Sequence, residues 1–307
     1  MLRHLITIRN ITTAQIERTF SISQDLKAKY LSGLREPILP GRMLAMLFEK
    51  QSLRTRVSFQ AGMTHLGGDT MYLGIEDSGW GKRESFADFA RVLSNYVDAI
   101  VCRSKKHSVV EQLAEYSSCS VINGLTDWSH PCQALADLFT LKELVGDLKG
   151  KKMAFIGDGN NVARSVAATC GRLGVKFHLA APDGYRFDEE YLALLRRDIP
   201  GIDVEVTADP AKAVEDATAV YTDVWASMGQ EAEKEKRKQD FATYQVNGEL
   251  MSKAPDDAFF LHCLPANRGQ EVTDEVIDGP NSAVLRQAEN RMHVQKGILV
   301  DFLGPQP

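Results

Sequence analysis

The chain has 307 residues, 44% of them hydrophobic and 25% charged, with a formal net charge of −5. That describes an ordinary globular chain, long enough for two domains. The acidic balance, without a basic stripe and interleaved aromatics, argues against nucleic acid as a partner, and no apolar run approaches membrane-spanning length.

In chain order, Thr12 with Gln15 forms a capping-box pattern that opens a helix through Leu31, closed at Gly33. The apolar run Met43–Phe48 reads as a buried strand, stopped by Glu49 and Lys50. Ser52 is a good N-cap for a helix carrying Val57, Phe59 and Met63, which breaks at Gly67-Gly68. Residues 69–73 read as a strand, 74–83 as a polar glycine-rich loop, 85–97 as a helix, and 99–102 and 121–123 as strands. His130-Pro131 sits at the start of a helix through Leu144. Residues 146–150 read as a boundary. A second alternating series then predicts strands at 153–156, 177–180, 204–206, 219–222 and 259–263, with helices at 161–173 and 189–197. A closing helix over 284–299 has no strand after it and is free to return to the first series. The charge-alternating run 231–238 reads as a solvated helix face.

Such alternation predicts an α/β protein with two doubly wound parallel-sheet domains. One comprises residues 1–146 with the C-terminal helix over 284–307, the other residues 147–283. Ligands of such sheets bind beyond the carboxyl ends of the strands. In the first series those ends offer Ser52, Arg54, Thr55, Arg56, Arg103, Asn123, Asp127, His130 and Gln133. A helix N-terminus with two guanidiniums and two hydroxyls is a seat for a phosphate. In the second series they offer Asp158, Asn160, Asn161, Asp223, Ser227, Met228, His262, Cys263 and Leu264, which suit an amine or amino acid. Gly157-Asp158-Gly159-Asn160-Asn161-Val162 imitates a dinucleotide fingerprint but has Val162 at the third glycine, which weakens an NAD-dependent oxidoreductase reading. The five cysteines lack Cys-x-x-Cys spacing, and residues 1–8 lack an apolar signal core. Reduced thiols, a cytoplasmic location and no metal or organic cofactor are the resulting expectations.

Taken together, Ser52-x-Arg54-Thr55-Arg56, His130-Pro131-Cys132-Gln133, Asp223-Val224-Trp225-Ala226-Ser227-Met228-Gly229 and His262-Cys263-Leu264-Pro265 resemble the aspartate/ornithine carbamoyltransferase family. The last two segments are similar to those of its ornithine-specific members. The resemblance implies transfer of the carbamoyl group of carbamoyl phosphate to the δ-amino group of L-ornithine, giving L-citrulline and phosphate. It implies that Ser52, Leu53, Arg54 and Thr55 bind the phosphate, with Arg103, His130, Gln133, Cys263, Leu264 and Arg291 completing the carbamoyl phosphate site. Asn161, Asp223, Ser227 and Met228 would hold ornithine, and Cys263, Arg103, His130 and Arg54 would serve catalysis. It further implies a homotrimer, or a multiple of trimers, in which Trp80 and Lys82 reach a neighbouring subunit's site.

Two departures bear on the substrate. Leu53 stands where many members have Thr, which removes a hydroxyl but keeps the backbone N–H, and Gly79 stands where bacterial ornithine enzymes often have Gln. These features also resemble relatives that use N-acetylornithine, whereas Ser227-Met228-Gly229 favours free ornithine. A non-catalytic amino-acid-binding protein would share the layout but would not need Arg54, Arg103 and His130 together.

Overall fold

The structure, a computed structural model, describes residues 4–74, 84–226 and 230–305. Two compact units emerge, residues 1–135 with 290–307 and residues 136–289. In the first, helix α1 (Thr13–Leu31) opens with the Thr12/Gln15 capping box and precedes strand β1 (Met43–Phe48). Helix α2 (Leu53–His65), strand β2 (Asp69–Gly74), helix α3 (Phe86–Ser94) and strand β3 (Ala99–Arg103) follow. Helix α4 (His107–Tyr116), strand β4 (Ser120–Leu125) and the start of helix α5 (Pro131–Val145) come next. The strands pair in parallel in the order β2-β1-β3-β4. Every residue of β3 is buried, as expected of a parallel strand covered on both faces.

The second unit repeats the alternation with strands β5 (Lys152–Ile156), β6 (Lys176–Ala180), β7 (Val204–Thr207), β8 (Ala219–Thr222) and β9 (Phe259–His262). They too are all parallel, in the order β7-β6-β5-β8-β9. Helices α6 (Asn161–Arg172), α7 (Glu189–Asp198), α8 (Pro210–Val214), α9 (Lys234–Asp240), α10 (Gly248–Met251) and α11 (Asp274–Ile277) connect them. This is the predicted α/β architecture.

Helix α12 (Val284–Leu303) extends the predicted closing helix by one turn, and its residues from Asn290 onward belong to the first unit. There Asp301 pairs with Arg18 at 2.6 Å and Asn290 accepts from Lys27 at 2.7 Å. Gly297 lies so close to α1 that a Cβ would stand 2.1 Å from Ser23 Oγ. The units divide between Leu135 and Ala136, inside α5, whereas the sequence places a boundary after residue 146. Gly146, at φ 75°, ends the helix.

Two readings change. Helix α4 carries no sequence signal at its start, because Lys106 makes no side-chain cap; Asp127 Oδ1 accepts from the His107 N–H instead, at 2.9 Å. The run 231–238 is not uniformly solvated, since Arg237 on α9 is only 6% exposed.

Candidate active site

Two clusters stand at strand ends, one in each unit. In the first unit β1 hands over to α2, where Ser52 is extended at φ −151° and its hydroxyl accepts from the Thr55 N–H at 3.3 Å. That fixes the first turn with its remaining N–H groups and the positive end of the helix dipole turned outward. From the neighbouring strand, Arg103 donates to Ser52 Oγ at 3.3 Å and to Thr55 Oγ1 at 3.5 Å. Arg291, from α12, donates to Thr55 Oγ1 at 2.9 Å and to Gln133 Oε1. Thr55, Arg103, His130, Gln133 and Arg291 are all buried, whereas Arg54 is half-buried and Leu53 is 75% exposed. Among the described residues the Arg54 guanidinium has no hydrogen-bond or ion-pair partner. Arg56 points elsewhere and stacks over Tyr72, 4.1 Å from the ring centroid.

The electrostatics agree with a seat for an anion. Burial pushes the His130 imidazole well below its ordinary pKa, and the Arg291 and Arg103 guanidiniums push it further the same way. His130 is therefore a neutral ring at physiological pH, able to donate one N–H. Sequence reasoning passed over Glu49, whose Oε2 accepts from Ser104 Oγ and the Lys105 N–H, both at 2.5 Å. Its own N–H donates to the Arg103 carbonyl at 2.9 Å, so Glu49 pins the turn that carries Arg103. A second brace runs from Asn123 Nδ2 to the Ser129 carbonyl at 3.3 Å and fixes the approach to His130.

In the second unit β5, β8 and β9 lie side by side with Ile156, Thr222 and His262 in register. The residues just beyond them meet. Asp223 Oδ2 accepts from Asn160 Nδ2 at 3.0 Å, and Asp223 Oδ1 accepts from Cys263 Sγ at 3.0 Å. Asp223 is 6% exposed, and the Val224 N–H also donates to Oδ1 at 2.8 Å. The predicted Asn161 is the first residue of α6, but Asn160 is the one that reaches Asp223. It also caps α6, its Oδ1 accepting from the N–H groups of Val162 and Ala163 at 2.9 and 3.1 Å.

That cap answers the dinucleotide reading. The N–H groups a pyrophosphate would take are occupied by a side chain. Gly159 is small because a Cβ there would lie 3.0 Å from the Tyr185 carbonyl, a protein contact and not a cofactor's approach.

Cys263 differs from the other four thiols, which are all buried. Burial pushes Cys119 and Cys132 up to about 12 and raises Cys102 and Cys170 as well, so none of these supplies a thiolate. Below Cys263, His262 and Glu271 form a wholly buried pair, Nε2 to Oε1 at 3.2 Å. The other ring nitrogen, Nδ1, accepts from the Leu264 N–H at 2.8 Å and holds Leu264 at φ 55°, beside a cis Leu264-Pro265 peptide. Asp137, fully buried on α5, accepts from Tyr221 and Gln287, and Gln287 Oε1 accepts from the His262 N–H at 2.9 Å. Asp223, His262 and Cys263 bring ligand-capable atoms within 4.8 Å of one another, but both His262 nitrogens are already engaged by protein groups. Ser227, Met228, Trp80 and Lys82 lie outside the described residues.

Two family models together match most of the chain. Residues 3–143 match the carbamoyl-P binding domain model of aspartate/ornithine carbamoyltransferase, and residues 149–302 match its Asp/Orn binding domain model. The chain belongs to the aspartate/ornithine carbamoyltransferase family. Within that family it is similar to the ornithine carbamoyltransferase of Bacillus subtilis, 50% identical over 98% of this chain and 94% of the relative. The Carboxydothermus hydrogenoformans ornithine carbamoyltransferase is 48% identical, with 98% of each chain covered. Among solved structures, the Pyrococcus furiosus ornithine carbamoyltransferase superposes with a TM-score of 0.95 at 47% identity, over 99% of this chain and 98% of that one.

Proposed function

We propose that the protein transfers the carbamoyl group of carbamoyl phosphate to the δ-amino group of L-ornithine, releasing L-citrulline and phosphate. The observation that carries this reading is the amine seat. Asp223 is a buried carboxylate that accepts from Asn160 Nδ2 and from the Cys263 thiol. Such a pair favours an ammonium or amine and repels the side-chain carboxylate that aspartate would bring. Relatives at 48 to 50% identity carry the name ornithine carbamoyltransferase, in agreement with the amine over the acid.

On this reading residues 1–146 with 284–307 form the carbamoyl phosphate-binding domain and 147–283 the ornithine-binding domain. Ser52, Leu53 through its backbone, Arg54, Thr55 and Arg103 hold the phosphate. Arg103, His130, Gln133, Leu264 and Arg291 receive the carbamoyl end. Asn161, Asp223, Ser227 and Met228 hold ornithine, and Cys263, once ionised to its thiolate, takes the proton that the δ-ammonium must lose before it attacks. The amine adds to the carbonyl carbon and the carbonyl oxygen becomes an oxyanion. Arg103 and the neutral His130 donate to it, each contact of this kind contributing about 3 kcal/mol. The attacking nitrogen passes its second proton to a phosphate oxygen as the adduct collapses, and the phosphate leaves with its charge neutralised by Arg54. No step calls for a metal or organic cofactor.

Five thiols without a disulfide suit a cytoplasmic location. Among the described residues no helix is long and apolar enough to cross a membrane. The working assembly is a homotrimer or a multiple of it, with Trp80 and Lys82 of one subunit covering the site of the next. Mixing Lys82→Ala with Arg54→Ala protein, at a carbamoyl phosphate concentration where each alone is strongly impaired, then restores part of the activity after subunit exchange. A mixture that exchanges by mass spectrometry and stays inactive refutes the shared site.

The reading itself is tested by citrulline formation from carbamoyl phosphate with ornithine, N-acetylornithine, putrescine and aspartate side by side. Turnover with ornithine above the other three is expected. Preference for N-acetylornithine would instead make Leu53 and Gly79 the deciding residues.

A further inference from the structure

Arg237 lies in a run of charges that reads as solvated, yet it is buried on α9 and makes contacts in three directions. Its Nη1 donates to Asp158 Oδ2 at 2.6 Å and to the Trp225 carbonyl at 3.0 Å. Its Nε donates to Glu233 Oε2 at 2.9 Å, and the guanidinium carbon lies 4.9 Å from the centroid of the Tyr185 ring. Asp158 and Trp225 belong to the two segments that build the amine seat. Two residues beyond Asp158 stands Asn160, and two residues before Trp225 stands Asp223. The Asn160–Asp223 hydrogen bond joins the same segments that Arg237 joins one step farther back.

We propose that Arg237 is a positioning residue for the amine substrate: by clamping Asp158 to the Trp225 carbonyl, it sets the placement of Asn160 against Asp223 and so aims the Asp223 carboxylate. This rests on the ornithine reading above. Among the described residues Arg237 makes no hydrogen bond or ion pair with Asn160, Asp223 or Cys263, and it acts through the two backbone segments.

The charges around Asp158 make this consequential. Burial raises its carboxyl pKa, and Asp223 raises it further; Arg237, by hydrogen bond and by charge, opposes both, and Arg164 adds a weaker opposing charge. On the far side of Arg237 stand Glu233 and Tyr185, whose hydroxyl donates to Asp240 at 2.7 Å. Removing the guanidinium leaves burial and Asp223 acting together, so Asp158 takes up a proton at higher pH than before. A protonated Asp158 cannot hold the turn in the same way, because one of its oxygens has become a donor.

The test compares Arg237→Gln, Arg237→Lys and the double variant Arg237→Gln/Asp158→Asn with the wild type. It reads KM for each substrate, the pH profile of kcat/KM for ornithine, and the rate at which iodoacetamide alkylates Cys263. In Arg237→Gln the ornithine KM rises about tenfold while that for carbamoyl phosphate stays within about twofold, the size of one lost charged contact on one side only. The acid limb of the ornithine profile moves to higher pH, and the double variant loses that movement because no carboxyl remains to titrate. Equal changes in both KM values, or an unmoved pH profile, would mean that Arg237 only supports the fold and would overturn the proposal. If Arg237→Gln does not fold, Arg237→Lys serves. A lysine keeps the charge but cannot span Asp158, the Trp225 carbonyl and Glu233 together, so the same split between the two KM values is expected, and its absence is decisive. A wild type that makes no citrulline refutes the ornithine reading alone. Cys263 alkylation then still decides the positioning role, since displacement of Asp223 alters the reactivity of its thiol partner, and an unchanged rate counts against it.

Discussion

Thr55 takes two guanidiniums on one hydroxyl oxygen, from Arg103 and from Arg291, so the positive charge of the first cluster is gathered before any anion arrives. Arg54 is different, being half-buried with its charge unpaired among the described residues. Arg54→Ala should weaken carbamoyl phosphate by about 2 kcal/mol, or roughly thirtyfold, the scale of a lost charged hydrogen bond. Direct titration with carbamoyl phosphate checks it, and unchanged affinity would remove the phosphate seat. Asp223→Asn keeps the shape of the amine seat and removes its charge. It should raise the ornithine KM by about tenfold or more while sparing that of carbamoyl phosphate; the reverse split would mean the two clusters have been given the wrong substrates. At this scale the sequence is legible where residues are local. Ser52, Arg54 and Thr55 fall within one helical turn, so their grouping at the start of α2 follows from spacing alone. Glu49 and Arg237 were missed because their partners lie far along the chain, at Ser104 and Asp158. Nothing in an alternating charge run tells which one of its members a fold will bury.

Helix α12 shows how an element can be legible while its docking is not. The apolar and polar spacing over 284–299 announces a helix, and the absence of a following strand lets it return to the first unit. Its seat on α1 depends on one small residue, Gly297, against Ser23 and the Thr19 carbonyl. Gly297→Ala improves helix propensity but places a Cβ 2.8 Å from that carbonyl. The clash should win, with a net loss of about 1–3 kcal/mol, the usual range for overpacking. Calorimetric melting tests this, and a raised melting temperature would show that α12 sits farther from α1. Helices α4, α8, α10 and α11 were missed; the last three are a turn long, and α4 has no capping side chain of its own. Strands fared better, because β1 and β8 are apolar runs bounded by polar residues, and buried parallel strands have little other sequence signature.

For the whole molecule, the buried imidazoles set the response to acid. Burial, with Lys296 foremost among the nearby charges, pushes His293 down from 6.5 to about 3, and His130 is held well below 6.5. The unfolded chain therefore binds more protons than the folded one below pH 6.5. Stability from this source is complete above that pH and is lost progressively as pH falls from 6.5 toward about 3. Melting temperatures measured across that range should fall, and His293→Gln should flatten part of the decline; an equally steep decline in the variant would assign the loss to other groups. The two-unit layout was legible because both sheets use the same strand-and-helix alternation, whereas the passage of α5 and α12 residues into both units was not, since a continuous helix carries no mark where its neighbours change.

The capping of α6 by Asn160 also bears on kinetics under excess substrate. Helix starts after parallel strands attract phosphates, and a molecule with two such sheets risks seating its anionic substrate in the wrong one. In the second unit the Asn160 side chain fills the helix start and Asp223 stands beside it as a fixed negative charge. An acyl phosphate entering there meets occupied donors and a repelling carboxylate. On the proposed assignment of the two seats, a large excess of carbamoyl phosphate should form no dead-end complex at the amine seat, and initial rates measured at rising carbamoyl phosphate should show no substrate inhibition.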